Sequence, residues 1–150
     1  VDEDLDTLGK VHELFLVQRL AVLSTRSGEQ PYSNLVCFAA SDDLRHILFA
    51  TTRATRKYAN LMREARVALL IDDRSKDPAD TFRATAVTAL GSARELEGEE
   101  AAKARKTYLE RHPHLEEFVS SPSTAMLQLD VEKYILVTRF QDVRELEVNP

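Results

Sequence analysis

Thr51, Thr52 and Thr55 stand beside Arg53, Arg56 and Lys57 in one short run, TTRATRK. Hydroxyls and cations at this density are the groups that hold a phosphate. The hydroxyls and nearby backbone N–H groups donate to its oxygens, and the cations balance its charge. Ile47 to Thr51 on one side and Arg66 to Ile71 on the other read as strands, rich in β-branched and apolar residues. Between them Tyr58, Leu61 and Met62 recur at helical spacing, which predicts a helix over Thr55 to Glu64 with Thr52 or Thr55 as N-cap. Arg53, Arg56 and Lys57 then crowd a helix end whose macrodipole is already positive. A phosphate lodged among them resolves that conflict. A basic turn with its side chains splayed into water is the competing reading, and charge and capping alone do not separate the two.

Bulk properties set the frame for this run. The chain has 150 residues, 43% hydrophobic and 30% charged, which predicts one domain, residues 1–150, with a true hydrophobic core. A net charge of -5 argues against a general nucleic-acid or membrane-surface binder, while a local basic cluster can still hold a small anion. The single cysteine, Cys37, excludes an internal disulfide and any multi-cysteine metal site, and its apolar surroundings suit a small core residue. No signal peptide or apolar run of membrane-spanning length is found, so the expected compartment is the cytoplasm.

The remaining elements must position the basic run. A first helix is expected with Leu5, Leu8, Val11, Phe15 and Leu16 on its apolar face and a half-buried His12 beside it. Leu20 to Thr25, the turn Arg26-Ser27-Gly28-Glu29, and Pro31 to Ala40 read as a hairpin that leads into His46 to Thr51. After a polar loop, Asp72 to Asp80, the stretch Phe82 to Leu96 reads as one long strand. Its small residues and Gly91 suggest a bend or a close contact. A helix over Gly98 to Arg111 follows, then a shorter one begun by His112-Pro113-His114, where the first histidine is expected to cap. These two histidines lack a third donor at fixed spacing, so no metal site is expected. From Ala125 onward the chain alternates as a half-buried strand, with a phase shift near Lys133 that suggests a bulge, and ends in a strand over Val143 to Val148. The count of strands and helices predicts a mainly β fold with flanking helices, an antiparallel barrel.

The order of these pieces resembles the FMN-binding split barrels related to pyridoxamine 5′-phosphate oxidase. The resemblance rests on Leu20–Thr25 followed by QPYSNLV, on LFATTRATRKYANL, and on ARVALLID. It implies a split β-barrel and a homodimer that holds FMN at the subunit interface. It further implies that Arg56 and Lys57 hold the FMN phosphate, with Thr51, Thr52 and Thr55 as donors. Ser33, Asn34, Leu35 and Val36 would run along the flavin ring edge. The departures are equally specific. Asn34 stands where true pyridoxamine phosphate oxidases carry an arginine, and Ala86 about where they carry a glutamine. The tail RFQDVRELEVNP lacks their Arg- and His-bearing substrate segment, which argues against vitamin B6 oxidation. Tyr134, Arg139 and Phe140 are instead candidates to reach a neighbouring subunit's flavin.

Two functions follow from the resemblance. One is an FMN-dependent oxidoreductase acting on a small molecule, with hydride transfer through the flavin N5 and catalytic residues not specified by the sequence. The other is a non-catalytic flavin, deazaflavin or haem module used in storage, sensing or stress response. A deazaflavin tail would call on Arg53, Arg63 or Lys76, and haem would need one of His12, His46, His112 or His114.

Overall fold

The computed structural model describes residues 2–148, so the last two residues of the tail motif lie outside them. Helix α1 (Asp2–Val17) leads into β1 (Leu20–Ser27), β2 (Gln30–Cys37), the short β3 (Ala39–Ala40) and β4 (His46–Thr52). Helix α2 (Arg56–Arg63), β5 (Arg66–Asp72), the single turn α3 (Asp80–Arg83) and β6 (Ala86–Glu95) follow. Helix α4 (Gly98–Arg111), a 3₁₀ turn at Pro113–Leu115, α5 (Glu116–Ser120), β7 (Thr124–Thr138) and β8 (Asp142–Glu147) complete the chain.

The strands form one antiparallel sheet in the order β2-β1-β5-β6-β7-β4-β3, with β8 also paired to β7. The expected strand Pro31 to Ala40 breaks at Phe38, whose N–H turns away to the Arg19 carbonyl at 3.2 Å. That bend closes the curl: β2 pairs with β1 at one end of the sheet, and β3 pairs with β4 at the other. Inside lie Leu23, Ile47, Phe49, Leu69, Ile71, Val87, Leu127 and Leu129. Phe15 of α1 closes one mouth, edge-on to Phe38 and Tyr134 with ring centres 5.4 and 5.8 Å apart. Outside, α4 and α5 cover Ala39, Leu48, Ala50 and Met126 with Ala101, Ala104, Tyr108 and Val119.

Three expectations are corrected. The buried face of α1 is Thr7, Val11, Leu14 and Phe15, whereas Leu5 and Leu16 are more than 60% exposed (62% and 63%). At 3.6 residues per turn they stand about a third of a turn or more from Val11. The stretch from Phe82 is not all strand, because side-chain bonds fold its beginning locally. Asp80 accepts from the Ser75 and Lys76 N–H groups, and Asp77 from the Ala79 N–H, which winds α3 before β6 begins. Phe82 is left 62% exposed, edge-on to Phe140. Finally, Tyr134 is fully buried with its hydroxyl on the Leu44 carbonyl at 2.7 Å, so it cannot reach another subunit.

The phase shift in the last long strand is a bulge. Leu90 pairs with Lys133 but Gly91 pairs with Val131, which leaves Glu132 unmatched. Gly91 faces this irregularity, and a Cβ there would come within 2.0 Å of the Asp130 carbonyl oxygen. The expected close contact at Gly91 is therefore present.

Candidate phosphate and cofactor site

The run TTRATRK forms the junction of β4 and α2. Thr55 is the N-cap: its hydroxyl accepts from the Tyr58 N–H at 3.3 Å and lies 2.7 Å from the Thr51 hydroxyl. Thr55 also donates to the Thr52 carbonyl at 3.1 Å, so the three threonines make one hydrogen-bonded knot. Helix α2 is anchored to the barrel by Leu61 and by Asn60, a buried amide that donates to the Thr25 hydroxyl at 3.0 Å. The turn is thereby held rigid on both sides.

Beside the knot lies a cavity of about 270 Å³ at the seam between β2 and β4. It is lined by Leu35, Val36 and Cys37 from β2, by Ala50, Thr51, Thr52, Thr55 and Lys57 from the β4–α2 junction, and by Tyr108, Leu115 and Phe118. Lys57 is the cation of this lining, and no acid shares the lining with it. Burial pushes its ammonium below the usual lysine range. Two larger clefts, of about 420 and 390 Å³, instead combine cations with acids: Lys10 and Arg83 with Glu13 and Asp73, and Lys103 with Glu100.

The other two cations behave differently. Arg53 is not available to an anion, because its guanidinium donates to Glu95 at 2.7 and 3.2 Å and to the Pro122 carbonyl at 2.8 Å. Burial alone would push Glu95 up, yet the Tyr58 hydroxyl at 2.5 Å and Arg53 outweigh it and hold the carboxyl low. The crowding of charge expected at the helix end is thus partly relieved within the chain. Arg56 is exposed, lies over the Tyr32 ring at 5.6 Å and is not part of the cavity lining.

Of the residues expected along the ring edge, Leu35 and Val36 line the cavity and Ser33 and Asn34 do not. The Ser33 hydroxyl lies 3.2 Å from that of Ser24. The Asn34 carbonyl oxygen is buried with no hydrogen-bond partner among the described residues. Sequence reading missed Tyr108, Leu115 and Phe118, which arrive from α4 onward. Tyr108 donates to the Cys37 carbonyl at 3.0 Å and fixes α4 against β2.

The histidines also differ from expectation. His112 occupies the expected cap position before Pro113, but its side chain makes no cap bond; the ring Nε2 instead lies 2.7 Å from the Phe38 carbonyl. A third donor does approach the pair, since ligand atoms of Cys37, His112 and His114 all lie within 4.8 Å of one another. His46 is committed to Asp130 at 3.0 Å. No helix among the described residues is long and apolar enough to cross a membrane.

Comparison with known proteins places this architecture. The pyridoxamine 5′-phosphate oxidase family profile matches residues 8–138. No curated protein matches the sequence. Among solved structures, a heme binding protein from Mycobacterium smegmatis superposes with a TM-score of 0.82 at 17% identity, over 93% of this chain and 57% of that one. The present chain therefore spans little more than half the length of that relative. HutZ, the heme storage protein from Vibrio cholerae, matches at TM-score 0.74 and 14% identity, over 87% of this chain and 93% of its own. An FAD-binding protein from Mesorhizobium loti matches at 0.68 and 15%, over 86% and 90%. Likeness at such identities establishes the fold, the antiparallel split barrel with flanking helices. Together with the profile match over most of the chain, it assigns the protein to the pyridoxamine 5′-phosphate oxidase-like split-barrel family.

Proposed function

We propose that the protein binds FMN in the β2–β4 cavity and serves as a flavin-dependent oxidoreductase for a small molecule. One observation carries this reading: Lys57, half-buried, lines the same cavity as the hydrogen-bonded threonines Thr51, Thr52 and Thr55, and that lining holds no acid. A half-buried ammonium without a counter-charge is costly, and a phosphate monoester supplies the missing charge and the acceptors. Thr51, Thr52 and Thr55 would donate to the phosphate with Lys57, and Arg56 would join them from its place over Tyr32. Leu35 and Val36 would lie along the ring, with Ser33 and Asn34 just before them on the same strand, β2. The orphaned Asn34 oxygen is a free acceptor on that strand.

Bound flavin would supply two-electron chemistry by hydride transfer through N5. The chain's own part is to bind, orient and exclude water; the cavity lining holds no carboxylate for acid–base work. Leu35 is 64% exposed beside the site, and a second copy of the chain would cover it and complete the flavin pocket as a homodimer. Arg53 does not support a longer deazaflavin tail, because Glu95 already holds it.

A second reading, haem handling without turnover, draws support from the descriptions of the Mycobacterium and Vibrio structures. An FMN titration of the wild-type protein and of Arg56→Ala/Lys57→Ala separates the two. FMN retention in the wild type and its loss in a folded double variant support the flavin site, and unchanged flavin content in that variant removes it. Bleaching of the bound flavin by NADH or NADPH then distinguishes an enzyme from a flavin carrier.

A further inference from the structure

The cluster at the β2–β3 bend is not used by the flavin reading. Cys37 ends β2, and His112 follows α4, where Pro113 stops the helix. Two bonds stitch these segments together. The Tyr108 hydroxyl donates to the Cys37 carbonyl, and His112 Nε2 reaches the Phe38 carbonyl at 2.7 Å. A carbonyl can only accept, so Nε2 carries the proton and Nδ1 presents a bare lone pair. That Nδ1 is buried, in a residue with 0% exposure, and has no hydrogen-bond partner among the described residues. A buried acceptor left unpaired costs about 1–3 kcal/mol, so Nδ1 calls for a partner.

The arrangement is the one metal-ligating histidines share: one ring nitrogen donates to a backbone carbonyl and orients the other toward the ion. We infer that Cys37, His112 and His114 form a site for one borderline-soft divalent cation, zinc by preference, with a fourth coordination position open. One ligand atom from each of the three residues, a ring nitrogen of either kind for the histidines, lies within 4.8 Å of the other two. Zinc at about 2.3 Å from sulfur and about 2.0 Å from nitrogen sets its donors roughly 3.5 Å apart, so closure needs roughly 1 Å of movement. His114 is exposed and can supply that movement, while His112 is held by its ring bond to the Phe38 carbonyl and Cys37 by the Tyr108 bond to its carbonyl. One thiolate with two imidazoles selects zinc over magnesium or calcium, which prefer oxygen donors.

The groups around the cluster are two cations, and burial together with them keeps His112 neutral, the form that ligates. Burial holds the Cys37 thiol above its ordinary range, with Arg19 opposing it only in part, so an ion there would displace the thiol proton on binding. Arg111, the other nearby cation, donates from one terminal nitrogen to the Phe15 and Gln18 carbonyls, while its Nε has no partner among the described residues. Cys37 also lines the proposed flavin cavity, so a bound ion would stand at its wall. The inference is independent of what that cavity holds.

The test uses the full chain, reduced and stripped with a chelator, titrated with Zn(II) alone and with Co(II) alone. One equivalent should bind, Co(II) should show a thiolate charge-transfer band in the near ultraviolet with tetrahedral bands in the visible, and Zn(II) should raise Tm. Cys37→Ser should lose the charge-transfer band. His114→Ala, an exposed change that leaves the core intact, should weaken Zn(II) binding at least about tenfold and abolish the rise in Tm. No stoichiometric binding, a cobalt spectrum without the charge-transfer band, or equal Zn(II) affinity in wild type and His114→Ala would overturn the assignment.

Discussion

Replacing Lys57 by methionine separates the phosphate site from the rest of the barrel. The aliphatic stem is kept and only the ammonium is lost. Without ligand, that ammonium is half-buried, has no acid in its cavity and is pushed toward the neutral form by burial. Its removal therefore costs the ligand-free protein little, and Tm should hold or rise. With FMN bound, the same change removes a charge-assisted hydrogen bond worth about 1.5–3 kcal/mol. At about 1.4 kcal/mol per decade, FMN affinity should fall about ten- to a hundredfold. Riboflavin, which lacks the phosphate, supplies the internal control and should change by no more than about twofold. Quenching of flavin fluorescence reads both constants on the same protein. Equal losses for FMN and riboflavin would show that Lys57 acts on the pocket wall rather than on phosphate. No loss for either would refute the reasoning from the unpaired ammonium.

Other consequences concern stability. Gly91→Ala should destabilise the protein by about 3 kcal/mol or more in urea unfolding, because its Cβ meets the Asp130 backbone at 2.0 Å in the central β6–β7 pair. Gly9→Ala, in α1 with nothing within 4 Å, should instead stabilise by up to about 1 kcal/mol. Burial is the main reason that the His112 pKa lies below its ordinary 6.5, with Arg111 adding to it against the Phe38 bond. As pH falls through 6.5 the unfolded chain takes up the proton first, so stability should fall with pH between that value and the lower folded pKa. In chelator this slope should be shallower in His112→Gln, and an unchanged slope would exclude His112 as its source.

Legibility in the sequence followed range. The α2 cap was readable because it spans only Thr55 to Tyr58 and hydroxyl capping is a local matter, whereas the bonds among the threonines were not foreseen. The bulge was readable because alternation breaks within β7 itself. Arg53 was misjudged because its partner, Glu95, lies on a strand laid down much later in the chain. The Cys37–His112–His114 cluster was hidden for the same reason, since it depends on α4 docking against the β2–β3 bend. In α1, the abundance of leucines concealed which stripe faces the core, and Thr7 took a place that hydrophobicity does not suggest. At Phe82, apolar character pointed to strand while Asp77 and Asp80 wound a turn.

The measurement that bears most directly on the flavin reading is the absorption spectrum of freshly purified protein, with mass spectrometry of what heat releases. The account predicts the two-banded spectrum of oxidised flavin and release of FMN, one per chain. A Soret band, or a colourless protein that fails to take up added FMN, would contradict it.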